Sequence, residues 1–176
     1  PYTTLFRSVS PDPDDLDRIA AERERQLQVR SQFRDVPVAR TDLDLPTAGR
    51  LSSRFGLRRV FNGEPRAPHT GLDVAAPMGA PIRAPADGVV SLVDDLYFNG
   101  KTVFVDHGQG FVSMVCHLSE AKVEVGRKVR RGELLGLVGN TGRATGPHLH
   151  WSVYLNGAAV DPALFIGPTP DPKPAR

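Results

Sequence analysis

Histidine and aspartate at short spacings are the residues of this sequence best equipped for chemistry. In the segment HTGLD, His69 and Asp73 stand four residues apart. If the segment is extended, alternate side chains share a face, so both point the same way. Gly71 between them has no side chain and leaves room for a metal or for close backbone approach. The segment GPHLHW carries a second same-face pair, His148 and His150, on an expected strand whose Leu149 and Trp151 face the opposite, buried side. Two imidazoles and one carboxylate fill three positions of a tetrahedral zinc and leave the fourth to water, the arrangement of a catalytic rather than a structural site.

His117 follows the run Phe111 to Cys116, which reads as a strand. Strand parity sets His117 on the face of Val115 and Ser113, with Cys116 pointing away. A thiol mechanism needs thiolate and imidazole within hydrogen-bond reach, so this parity argues against one. Cys116, the single cysteine, reads instead as a small buried apolar residue. Any one histidine alone is more often structural than functional. Together, an aspartate at fixed spacing, an HxH strand and a further histidine strand are hard to explain by packing, because clustered imidazoles and a carboxylate without a partner are costly to bury. His107 is set apart: in DHGQG it falls at an expected hairpin turn, where a polar residue beside glycine serves the backbone.

The elements that must position these residues are mostly strands. From Gly49 onward, short apolar runs are broken by glycine and proline, as in IRAPADGVVSLV and VEVGRKVRRGELLGLVGNTG. KTVFVD and FVSMVCHL around HGQG predict a hairpin, and the VxxGxxVxxG spacing from Val125 predicts further tight turns. Upstream, Asp12 to about Phe33 contains no glycine, with Pro13, Asp14, Asp15 and Asp17 early and Arg30 late, which predicts one helix. Its thin apolar stripe of Leu16, Ile19, Ala20, Leu27 and Phe33 suits a scaffold that packs on a neighbour. The expected organisation is a non-native leader over 1–8, a helix over 9–33, an extended connector over 34–48, one domain over 49–166 and a disordered, proline-rich tail over 167–176. The leader, PYTTLFRS, looks like a translated sequencing adapter, so a native upstream part is expected to be missing.

Composition bounds the function classes. With 22 basic and 20 acidic residues, a net charge of +2 and no long basic block, the sequence does not imply nucleic acid as a partner. One cysteine excludes an internal disulfide framework. No run approaches the roughly 18 apolar residues of a membrane span.

The residues resemble the LytM or lysostaphin-type zinc endopeptidases over about Gly49 to Phe165. GRLSSRFGLRRVFNGEPRAPHTGLDVAAPMGAPIRAPADGVV is similar to that family's opening segment, NGKTVFVDHGQGFVSMVCHLS to its central hairpin, and GLVGNTGRATGPHLHWSV to its closing motif. The resemblance implies a mainly β, antiparallel, barrel-like metallopeptidase domain with the duplicated hybrid motif fold, here preceded by the helix and connector. It implies one zinc ion held by His69, Asp73 and His150, with His117 and His148 as the catalytic histidines. It implies hydrolysis of short peptides of the bacterial cell wall, stem-peptide cross-links or glycine bridges, by an enzyme of the periplasm or cell exterior, anchored to a membrane if the missing part supplies an anchor. A zinc with two neutral imidazoles and one carboxylate keeps a net charge of +1, lowers the pKa of water and polarises a peptide carbonyl. Relatives often carry tyrosine two residues before the central histidine. Val115 stands there and, by parity, is expected to face the site.

Two other classes compete. Some LytM-like domains have lost their ligands and regulate other wall hydrolases; intact ligands oppose that reading, and Val115 is the one local feature in its favour. VEVGRKVRRGELLG also resembles the hairpins of biotinyl or lipoyl carriers, but no lysine sits in a matching apolar-flanked turn, and a carrier has no use for HxxxD beside HxH.

Overall fold

Strands of two to eleven residues, joined by short connections many of which carry glycine, build most of the fold in a computed structural model that describes residues 11–37, 41–61 and 64–167. The expected leader and residues 168–176 of the expected tail lie outside the described residues. The strands are β1 (Arg50–Ser53), β2 (Arg59–Phe61), β3 (Glu64–Arg66), β4 (Leu72–Ala75), β5 (Pro81–Arg83), β6 (Gly88–Leu96), β7 (Gly100–Gly108), β8 (Phe111–Ala121), β9 (Lys128–Val129), β10 (Leu134–Val138), β11 (His148–Leu155) and β12 (Ala158–Val160). The main sheet runs β1-β4-β11-β8-β7-β6-β9, with β12 on β11 and β10 bridging β5 and β8, while β2 and β3 pair separately. Every pairing between these strands is antiparallel, and the sheet is not closed into a barrel.

The expected hairpin is β7–β8. Gln109 and Gly110 connect its strands with φ of 52° and 72°, the two positive values that a tight hairpin turn matched to strand twist requires. His107 is not at that turn. It lies within β7 and is buried, its Nδ1–H donating to Asp87 O at 2.7 Å and its Nε2 2.9 Å from Ser113 Oγ. Burial pushes its imidazole below the ordinary value of 6.5, against the raising effect of the Asp87 hydrogen bond. In the unfolded chain it titrates near 6.5, so below that pH the unfolded state binds more protons than the folded one. Its contribution to stability is therefore complete above about pH 6.5 and is lost as pH falls below it. The drop in urea midpoint between pH 7.5 and pH 5 is expected to be smaller in His107→Gln than in the wild type; equal drops would contradict this.

Each face of the sheet has its own apolar cluster. Leu72, Val74, Val115, Leu149, Trp151 and Val153 belong to the larger core on one face. Val112, Met114, Cys116 and Tyr154 project from the other, with Phe104 and with Val29 of the helix. The helix, α1 (Leu16–Arg30), is preceded by a 3-10 turn at Pro13–Asp15 capped by Asp12, whose side chain accepts from Asp14 N. It stops at Arg30, short of Phe33. α1 is fastened to the β6–β7 hairpin by buried Glu22, which accepts from Tyr97 N at 2.8 Å, and by an ion pair from Arg25 to Asp94. The following segment also docks: Arg34 pairs with Asp106, and Leu43 is buried, its N–H donating to Phe165 O. No helix among the described residues is long and apolar enough to cross a membrane.

Candidate metal centre

β4 and β11 pair in register with Asp73 opposite His150 and Leu72 opposite Trp151. Parity then works as expected: Leu149 and Trp151 enter the main core, while Asp73, His148 and His150 share the other face. His69 reaches them from the loop before β4, which two backbone bonds, Gly56 N to His69 O and His69 N to Leu57 O, hold against residues 56–57. Gly71 permits this approach. A Cβ there would lie 2.3 Å from Trp151 O and 2.9 Å from His150 Cε1, so any side chain would push the loop off β11.

His69 Nε2 lies 3.0 Å from both Asp73 Oδ1 and His150 Nδ1, and His150 Nδ1 lies 2.8 Å from Asp73 Oδ1. These residues form the possible metal-holding cluster found among the described residues. His69 and His150 are buried and Asp73 is partly exposed, so the cluster opens on the Asp73 side. Burial alone would push Asp73's carboxyl up, but hydrogen bonds and charge from His150 and His69 more than reverse this and hold it well below the usual carboxylate range.

The remaining ring nitrogens are committed elsewhere. His69 Nδ1 lies 2.9 Å from Arg54 O, with Ser53 Oγ at 3.0 Å, and because a carbonyl only accepts, Nδ1 carries the proton and Nε2 the lone pair. His150 Nε2 lies 2.8 Å from Ser152 Oγ, and its Nδ1 faces the cluster. Three acceptor atoms at such separations repel unless protons or a cation lie among them. Two imidazole nitrogens and one carboxylate oxygen are a donor set suited to zinc, and each histidine has the outer hydrogen bond that fixes a ligand's orientation.

His117 joins the site by a route that parity misses. Along β8, residues 111–116 pair with β11 and residues 118–121 pair with β10. His117 sits at this fork with φ of +64°. Against β7, Lys101 pairs with Leu118 and Val103 with Val115, so Cys116 and His117 together oppose one residue, a bulge. The extra residue swings His117 onto the site face, its ring centroid 4.7 Å from His148 and 6.1 Å from His150. Two expectations are thereby corrected. Val115 pairs with Trp151 and faces the main core, not the site. Cys116 lies on the site face opposite His150, yet it is fully buried, with Asn99 Nδ2 donating to its sulfur at 3.5 Å, so burial rather than parity keeps it from acting as a nucleophile.

His117 Nδ1–H donates to Thr141 O and His148 Nδ1–H to Gly146 O, leaving each Nε2 as the basic nitrogen. Burial lowers His117's imidazole to about 4, the charges of His148 and His150 adding to the effect and the Thr141 hydrogen bond opposing it. It is neutral at pH 7. The structure thus brings together all five residues singled out in HxxxD, HxH and the central hairpin. Ser53, Arg54, Thr141 and Ser152, which support them, were not identified from the sequence; only Ser152 had a readable signal, being two residues beyond His150 on the same strand face.

Residues 67–162 match Peptidase family M23. The chain is 42% identical over 113 residues to the peptidoglycan DD-endopeptidase ShyA of Vibrio cholerae, covering 64% of this chain and 26% of ShyA. A crystal structure of a peptidase M23 from Pseudomonas aeruginosa superposes with a TM-score of 0.79 at 52% identity, covering 93% of this chain and 66% of that one. A zinc-containing peptidase from Vibrio cholerae gives 0.64 at 31% identity, over 72% of this chain and 39% of that one. The chain spans between a quarter and a third of the length of the first curated relatives it matches.

Proposed function

Because the chain belongs to peptidase family M23, we propose that it is a zinc-dependent endopeptidase that hydrolyses peptide cross-links of bacterial peptidoglycan. The observation that carries the reading is the cluster of His69 Nε2, Asp73 Oδ1 and His150 Nδ1, each within 3.0 Å of the others and opening to one side. In this reading those three residues hold one zinc ion. Zinc so held supplies a Lewis acid that acidifies water and polarises a carbonyl. His117 and His148 handle protons: an Nε2 lone pair takes one from attacking water, and the same ring, or its neighbour, returns it to the departing amine. Their Nδ1–H bonds to backbone carbonyls keep both rings in the tautomer this requires.

Peptidoglycan as substrate is supported by the similarity to a peptidoglycan DD-endopeptidase, and a place in the cell envelope follows from that substrate. A regulator without turnover loses its one local argument, since Val115 pairs with Trp151 and is packed in the core. The test is metal dependence on purified peptidoglycan. Release of soluble peptides is expected to stop when a chelator strips the protein and to return with one equivalent of zinc; release that survives chelation would sink the proposal.

A further inference from the structure

The turn between β6 and β7 is tied through its backbone to three other parts of the chain. Tyr97 N donates to the buried Glu22 carboxylate of α1 at 2.8 Å, Phe98 O accepts from Arg143 N at 2.8 Å, and Asn99 O accepts from His117 N at 2.9 Å. This turn and the loop after β10 approach too closely for side chains between them: a Cβ on Gly100 would overlap Thr141 Oγ1, and one on Gly142 would overlap Gly100 N. Thr141 stands at the centre of the contact. Its hydroxyl donates to Leu118 O of β8 at 2.7 Å and accepts from Lys101 N of β7 at 3.0 Å, while its carbonyl accepts from His117 Nδ1–H at 2.9 Å. Lys101 and Leu118 face each other across β7 and β8 at the bulge that reorients His117, so the hydroxyl bridges the donor and the acceptor of that pair where the extra residue interrupts the ladder.

We propose that Thr141 is a positioning residue for His117: its hydroxyl, bonded to β7 and β8 at once, fixes the carbonyl that holds the His117 ring with Nδ1 protonated and Nε2 turned to the site. The proposal rests on the reading of His117 as a group that handles protons in turnover. Which imidazole nitrogen is bare is set by the partner of the other one. A carbonyl only accepts, so a carbonyl held in place decides both the tautomer and the direction of the ring. His117 is gripped at its backbone as well, by Asn99 O, and its φ of +64° is a conformation that a residue with a side chain keeps only where its surroundings enforce it. A hydroxyl that donates to one backbone group and accepts from another is confined to one rotamer, which makes Thr141 the pin joining the loop after β10 to the fork of β8.

The test compares the zinc-loaded full chain as wild type, Thr141→Val and Thr141→Ser. The tautomer is read at neutral pH from long-range proton–nitrogen correlation spectra of the imidazoles, in which bare and protonated nitrogens resonate far apart; the His117 signals are assigned by their loss in His117→Gln. Turnover is read on a soluble cross-linked peptide. A bare Nε2 on His117 is expected in the wild type and in Thr141→Ser, whereas in Thr141→Val both ring nitrogens should move toward values averaged between bare and protonated. Thr141→Val should also lower kcat by roughly ten- to a hundredfold, the scale of a small misplacement of a reacting group, with KM and zinc affinity within about twofold of the wild type and with Thr141→Ser restoring kcat to within about threefold. Thr141→Ala, small enough for water to reach Lys101 N and Leu118 O, carries the same expectation if Thr141→Val does not fold. A valine variant that melts at a lower temperature yet keeps the wild-type His117 signals and kcat would overturn the proposal, since Thr141 would then serve stability alone. A serine variant as impaired as the valine one would overturn it too. A wild type that takes up no zinc or releases no peptide would overturn the functional reading instead, and the His117 signals would then decide this proposal by themselves.

Discussion

Replacing His117 or His148 by alanine is expected to lower turnover on peptidoglycan by roughly a hundred- to ten-thousand-fold while one equivalent of zinc remains bound. Neither ring is in the three-residue cluster, so metal affinity should change little. Both rings stand beside it with a basic Nε2, His117 with its centroid 6.1 Å from that of His150. Because burial lowers His117 to about 4, it remains able to accept a proton at pH 5 to 6, where a histidine at its ordinary value is mostly charged. Activity limited by His117 should therefore persist below pH 6.5. Zinc lost along with turnover in either variant would show that the ring is a ligand or a support for one.

Asp73→Ala should act on the metal itself. Asp73 brings the only negative charge among the three clustered side chains and lies between two imidazoles, 3.0 and 2.8 Å from their nitrogens. Zinc bound by small protein sites is stabilised by about 10 to 16 kcal/mol through about four ligands, so one ligand accounts for roughly 3 kcal/mol, or two orders of magnitude in affinity. Chelator competition should show a loss at least that large, and turnover should vanish at low zinc and return only partly at high zinc. Affinity within threefold of the wild type would remove Asp73 from the ligand set.

Much of this site can be read from residue order because it is built from period-two parity. Leu149 and Trp151 alternate with His148 and His150 along β11, and the buried residues announce the face that the histidines do not share. HTGLD was legible for a related reason, since Gly71 marks a close backbone approach before the strand begins. His117 shows where such reading stops. Its chemistry was visible in the sequence but its direction was not, because one inserted residue at the fork of β8 reverses parity, turning Val115 inward and Cys116 toward the site face. Bulges of this kind depend on which strands pair, and that is settled by long-range contacts. The helix was legible from Asp12 and Arg30, whereas its docking through Glu22 was not, since a buried glutamate looks like any solvated one until Tyr97 N and Arg18 supply its partners. Likewise, residues 34–48 read as a connector because Pro37 and Pro46 interrupt a segment without clear periodicity, and the burial of Leu43 shows only in three dimensions.

The most direct test of the central claim is digestion of purified peptidoglycan sacculi by the zinc-loaded wild type and by His150→Ala, with released fragments identified by mass. Soluble fragments whose masses correspond to hydrolysed cross-links, from the wild type alone, are the expected result. Intact sacculi with both proteins, at stoichiometric zinc in the wild type, would contradict the assignment of this chain as a peptidoglycan endopeptidase.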